Sequence, residues 1–157
     1  MFFTKSGREI SYYGIEFGEE ITRLKEDSSK IIQTLNDLFL WLLDSWKKET
    51  AYPSSQKDPL YNLENDPTYG QCAITATLVY DLFGGSIHRI KVEGGGTHYF
   101  NKINGHFIDL TSDQFSLYGI GVNYQDNTEI KRSYCNTNEN TKMRYHMLAK
   151  NLYELVK

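Results

Sequence analysis

Residues Thr97 to Thr111 read THYFNKINGHFIDLT. Two runs rich in aromatic and β-branched residues flank the pair Asn104-Gly105. Such a pair predicts a two-residue β-hairpin turn, because both turn positions need positive φ. Counting outward from the turn gives the register. Ile103 faces His106, Phe100 faces Asp109, and His98 faces Thr111 on the diagonal to Asp109. Opposed side chains share one face of a sheet. His98 and Asp109 therefore point to one side and His106 to the other.

The flanking segments extend this picture. SIHRIKVE (86–93) alternates as a strand, and GGG (94–96) reads as a flexible turn. QCAITATLVYDLFGG (71–85) predicts a mostly buried helix stopped by Gly84-Gly85. Thr111 and Gln114 stand at capping-box spacing, so a short helix is expected after the second strand. Ile31, Ile32, Leu35, Leu38, Phe39, Leu42, Leu43 and Trp46 recur at helical spacing, with Ser28 or Ser29 as cap. Residues 138–156 predict a second amphipathic helix with Met143, Met147, Leu148, Leu152, Leu155 and Val156 inward. Residues 50–70 hold all three prolines and read as a long loop, of the kind that often serves a site or a lid. Residues 1–27 form an N-terminal extension, a hairpin or a tether, and residues 28–157 a single domain.

GQCAITA (70–76) places Cys72 at the start of the buried helix. A thiol becomes a nucleophile when its thiolate is favoured, by a helix N-terminus or by an adjacent His. Cys72 has the first device. Of His88, His98, His106 and His146, the hairpin parity selects His98 for the second, with Asp109 as the group that orients its ring. Gln71 would offer its amide to an oxyanion beside the Cys72 backbone N–H. Taken singly, these features have ordinary explanations. A Cys opening a buried helix is often core filler, and a His–Asp pair is often a satisfied polar contact. The order Cys on a helix, His on a strand and Asp on the next strand is more specific.

That order resembles the catalytic core of papain-like and transglutaminase-like cysteine enzymes. The chain also resembles the YunG-like family of small bacterial proteins. The stretches that carry this second likeness are SWKKET (45–50), NDPTYGQCAITATLVYDLFGG (65–85), HYFNKINGHFIDLTSDQF (98–115) and TKMRYHMLAKNL (141–152). They run from about Trp46 to Leu152 and leave the first thirty or so residues uncovered. The resemblance implies Cys72, His98 and Asp109 as a triad, with Gln71 beside them. It implies an α+β fold of papain-like or transglutaminase-like type, N-terminal helices packed on an antiparallel sheet.

Composition narrows the partners. The net charge of −3 leaves no basic footprint for nucleic acid. The apolar run Leu38 to Leu43 is too short to span a bilayer, and the start of the chain does not read as a secretory signal. Two cysteines are fewer than a secreted disulfide scaffold carries, so a cytoplasmic chain with reduced thiols is expected. Cys72 with the histidines matches no common zinc spacing, and no metal or cofactor is expected. The glycine-rich stretch around residue 94 lacks the phosphate-loop pattern. The expected function is thiol-dependent acyl chemistry, as peptidase, amidase or acyl transferase, on a peptide, amide or protein substrate. The alternative is a non-catalytic binding or inhibitor protein, of phage or mobile-element type, that uses the same fold to engage a protein partner, with the N-terminal extension and a Tyr-rich surface in contact with it.

Overall fold

The computed structural model describes residues 1–25, 30–94 and 96–156. In chain order the elements are β1 (Phe2–Phe3), β2 (Glu9–Ile10), α1 (Leu35–Ser45), α2 (Pro53–Gln56), α3 (Cys72–Phe83), β3 (Ser86–Val92), β4 (Gly96–Ile103), β5 (His106–Ile108), α4 (Asp113–Ser116), β6 (Thr128–Ile130) and α5 (Glu139–Leu155). Short 3₁₀ turns lie at Ile15–Phe17, Lys48–Thr50 and Arg132–Thr137. The class is α+β.

The central sheet has the order β5-β4-β3-β6, every pair antiparallel. Its hairpin turns at Asn104-Gly105, with φ of 53° and 81°. Ile103 pairs with His106 and Asn101 with Ile108, in the expected register. Helix α3 lies against one face of the sheet, where the Asn101 amide donates to the Ala76 carbonyl at 2.9 Å. The same helix packs on α1 and α5. Ile74, Leu78, Val79 and Phe83 of α3 join Leu38, Phe39 and Leu42 of α1 and Leu148 and Leu152 of α5 in one core. The Trp46 indole, just past the end of α1, donates to Thr75 Oγ1 at 2.9 Å and ties the two helices. On the opposite face of the sheet Ile90, Phe100 and Tyr124 make a second, smaller cluster with Phe107 and Val122 packed against it.

Several boundaries differ from the sequence expectation. Helix α1 begins at Leu35, because Thr34 and Asp37 close a reciprocal capping box. Ile31 and Ile32 precede the helix, and Ile32 is buried there. The expected caps Ser28 and Ser29 and the middle glycine of the 94–96 turn lie outside the described residues. In α5 the inward stripe is Arg144, Leu148 and Leu152, while Met143 is 53% and Leu155 41% exposed. Leu148 and Leu152 point inward as expected, and Arg144 takes the inward place expected of Met143, because Arg144 finds acceptors inside. Thr111 does not cap α4. Its hydroxyl donates to Asp109, and Ser112 stands at the cap position without a side-chain bond.

The loop from 50 to 70 contains α2, and Ser55, Asp66 and Thr68 within it are buried. Residues 2–10 carry a small antiparallel hairpin, and Ile10, Tyr12 and Ile21 enter the main core. Gly14, at φ 95°, lies against the sheet edge, where a Cβ would stand 2.8 Å from the Phe107 carbonyl oxygen. That close passage lets the preceding residue, Tyr13, bridge to Asp109.

Candidate functional site

The chain enters α3 through Gly70 and Gln71, and Cys72 takes the first helical position. The opening N–H groups of a helix have no intrahelical acceptor and favour negative charge at that end. Cys72 is half-buried and free. Cys135 is free and buried. Burial pushes the Cys135 thiol up, against the smaller opposing effect of the Thr77 hydroxyl.

His98 sits on the part of β4 that runs past β5, which ends at Ile108 opposite Asn101. The chain leaves the ladder at Asp109, and its N–H donates to the Tyr13 carbonyl at 3.0 Å. The Tyr13 N–H donates in turn to Ser112 Oγ at 2.9 Å. This bridge aims the Asp109 carboxylate at the histidine. His98 Nε2 and Asp109 Oδ2 are 2.6 Å apart, and both side chains are 1% exposed.

The carboxylate has three further donor contacts. The Tyr124 hydroxyl donates to Oδ2 at 2.6 Å. The Thr111 N–H and hydroxyl donate to Oδ1 at 3.1 and 3.3 Å. The edge of the Phe115 ring meets the imidazole at a centroid distance of 4.7 Å.

The other imidazole nitrogen, Nδ1, is buried without a hydrogen-bond partner among the described residues. The Cys72 thiol lies within electrostatic range of this ring, without a formed hydrogen bond to it. Because Asp109 occupies Nε2, Nδ1 remains for the thiol. Burial pulls the His98 pKa down. The Asp109 charge and hydrogen bond, with the Cys72 thiol, outweigh burial and raise it above its ordinary value.

Gln71 lies beside this group but its amide turns inward. Its Oε1 accepts from the Thr50 hydroxyl at 2.8 Å, and its Nε2 donates to the Lys47 carbonyl at 3.0 Å. The side chain is fully buried and pins the start of α3 to the 47–50 turn.

Two of the remaining histidines are occupied elsewhere, and the third, His146, is exposed on α5. His106 leaves the opposite face and stacks on Phe17 at 3.6 Å. His88 bonds Ser86 and Asn127, each at 2.7 Å. Among the described residues no cluster of three or more His, Cys, Asp or Glu side chains is arranged to hold a metal ion. No helix among them is long and apolar enough to cross a membrane. A cleft of about 410 Å³ opens between Tyr13, Ser112, Phe115, Val122 and Tyr124. Cys72 does not line it. The cleft adjoins the site through Tyr13, Ser112, Phe115 and Tyr124, which surround Asp109 and His98.

Tyr124, Phe115 and Arg144 escaped the sequence reading, as did the bonds from Thr111 to Asp109. The spacing Asp109-x-Thr111 carries a usable signal, since Asp commonly accepts from the backbone two residues on. Tyr124 has no comparable signal, because only the tertiary fold brings it to Asp109.

Comparison with known proteins adds the lineage. The chain is 44% identical over 52 residues to a protein described as uncharacterized protein YunG, from Bacillus subtilis (strain 168). The match covers 33% of this chain and 44% of that protein, less than half its length. No solved structure matches the chain. The family model described as YunG protein matches residues 34–157, a span that contains Gln71, Cys72, His98 and Asp109. On the strength of that match the chain belongs to the YunG family.

Proposed function

We propose that Cys72, His98 and Asp109 form a thiol acyl-transfer centre on a papain-like or transglutaminase-like scaffold. One observation carries the reading. A buried imidazole is fixed by a carboxylate through one nitrogen, its other nitrogen is unpartnered, and the thiol at the start of α3 is electrostatically coupled to the ring. An imidazole held this way takes a proton at the free nitrogen and returns it, the task of a general base and acid.

In the first half-reaction the Cys72 Sγ–H proton passes to His98 and sulfur attacks a carbonyl carbon. The oxyanion that forms lies at the N-terminus of α3, where the Cys72 N–H is the nearest preorganised donor. Gln71 holds that N–H in place through Lys47 and Thr50. Collapse of the intermediate breaks the bond to the leaving group, which takes the proton from His98. A thioester on Cys72 remains. In the second half-reaction water or an amine gives a proton to His98 and attacks the thioester. Water completes hydrolysis and an amine completes transfer. The substrate class is a peptide, amide or protein acyl group. The chemistry needs a reduced thiol, which suits a cytoplasmic setting.

Mixing the protein with p-nitrophenyl acetate tests this. The expected result is a burst of about one equivalent of p-nitrophenolate, with acetyl found on Cys72 by mass spectrometry, and its absence in Cys72→Ala. A folded wild-type protein that stays unacylated would contradict the proposal and leave a binding role.

A further inference from the structure

Arg144 is the least expected side chain in the core. It is 2% exposed, and arginine is almost never buried so far without an anionic partner. Its acceptors are all neutral. Nη1 donates to the Thr50 carbonyl at 3.1 Å, Nε to Asn140 Oδ1 at 2.7 Å and Nη2 to Thr141 Oγ1 at 3.4 Å. The guanidinium lies 5.6 Å from the centre of the Tyr52 ring. Among the described residues no carboxylate pairs with it. A buried charge in this state is costly and needs compensation.

The position of the charge is informative. The Thr50 carbonyl takes the Arg144 bond, while the Thr50 hydroxyl donates to Gln71 at 2.8 Å. The Tyr52 N–H donates to the Gly70 carbonyl at 2.9 Å. One turn thus links the guanidinium to the two residues before Cys72. Three groups that can become anionic lie within electrostatic range of Arg144: Cys72 from α3, Tyr52 from the turn, and Cys135 from the 132–137 segment. Phenols are neutral near pH 7. Burial pushes the Cys135 thiol up and keeps it neutral. Cys72 remains. Within electrostatic range of Cys72 in turn are His98 and Tyr99 of β4 and Arg144 of α5.

We infer that Arg144 is a positioning residue of the Cys72 centre, whose buried guanidinium braces the Thr50 turn against the start of α3 and supplies a fixed positive charge to the Cys72 thiolate. His98 exchanges its proton during turnover, so its charge comes and goes. Arg144 stays charged throughout. The inference rests on Cys72 being the nucleophile.

Its test is the rate of Cys72 alkylation by iodoacetamide against pH, read by mass spectrometry. The proteins compared are wild type, Arg144→Gln, Arg144→Lys and His98→Ala, with circular dichroism to establish folding. Arg144→Gln keeps hydrogen-bonding capacity and loses the charge. Its profile is expected to move up by about 1 pH unit or more. Arg144→Lys keeps the charge and is expected to hold the wild-type profile while melting lower. A folded Arg144→Gln protein whose profile overlays wild type would overturn the inference.

Should Arg144→Gln not fold, the melting temperatures of wild type and Cys72→Ser from about pH 6 to about pH 9 read the same coupling. The gap between them is expected to widen as the thiol ionises, and to widen equally in the Arg144→Lys background, which keeps the charge. A gap independent of pH would overturn the inference. The underlying reading fails separately, if wild-type Cys72 alkylates no faster than Cys135. A profile that depends on His98 but not on Arg144 removes this inference alone.

Discussion

His98 Nε2 meets Asp109 Oδ2 at 2.6 Å in a contact that is almost fully buried. The two residues descend from opposite sides of one Asn-Gly turn. Neither is free to adapt, since β4 holds the first and the bridge to Tyr13 holds the second. Asp109 also accepts from Tyr124 and twice from Thr111, so it is supported as an acceptor from both sides.

Tyr124→Phe removes one of those donors and keeps the ring. Its hydroxyl serves a buried carboxylate, so the loss is expected to cost about 1.5–3 kcal/mol by urea unfolding. The fold and the Nε2 contact should survive, leaving Cys72 alkylation dependent on His98. Unchanged unfolding would mean that the hydroxyl does not serve Asp109 in solution.

Phe39 tests the main core. It is fully buried, with its ring edge-on to Phe2 at 4.9 Å and near Trp46 at 6.1 Å. Phe39→Ala is expected to cost roughly 3–5 kcal/mol. A thermal melt that shows no loss would place this face of α1 at the surface.

Asp66 carries a pH dependence. Burial raises its carboxyl, the Tyr118 hydroxyl opposes that, and the Asp113 charge adds to it, for a value of about 6 against an ordinary 3.8. Its Oδ1 is buried without a partner among the described residues. The folded state therefore keeps a proton that the unfolded state releases. The stabilisation from that proton is complete below the ordinary value and is lost as pH rises through about 6. Asp66→Asn should melt higher than wild type at neutral pH and close to it near the ordinary carboxylate value. A constant difference across that range would contradict the assignment.

The hairpin was legible because a strict two-residue alternation and an Asn-Gly pair fix register locally. The His98–Asp109 proximity followed from parity alone. Its orientation needed more, since Asp109 lies past the end of β5 and is aimed by Tyr13, from a segment whose sequence reads as a hairpin or tether. The start of α1 is not legible from apolar spacing, which continues upstream, because the capping box at Thr34 and Asp37 sets that end. In α5 the pattern rule puts Met143 inside and Arg144 outside. Neutral acceptors on Thr50, Asn140 and Thr141 reverse that choice. The Gln71 amide was expected at the site, but its bonds to Lys47 and Thr50 are invisible at the sequence level.

The account turns on the coupling of Cys72 to His98, and the pH dependence of Cys72 alkylation reads it most directly. Iodoacetamide should label wild-type Cys72 much faster than Cys135 near neutral pH. Cys72→Ala should abolish the fast labelling. His98→Ala should slow it and move the profile toward that of a free thiol. Asp109→Asn should also slow it, by favouring the wrong imidazole tautomer, a loss that reaches about 10⁴-fold in turnover of a serine triad. His106→Ala should leave the profile in place, since its ring stacks on Phe17 across the sheet. Superimposable profiles for wild type and His98→Ala would contradict the account and reduce Cys72 to an ordinary half-buried thiol.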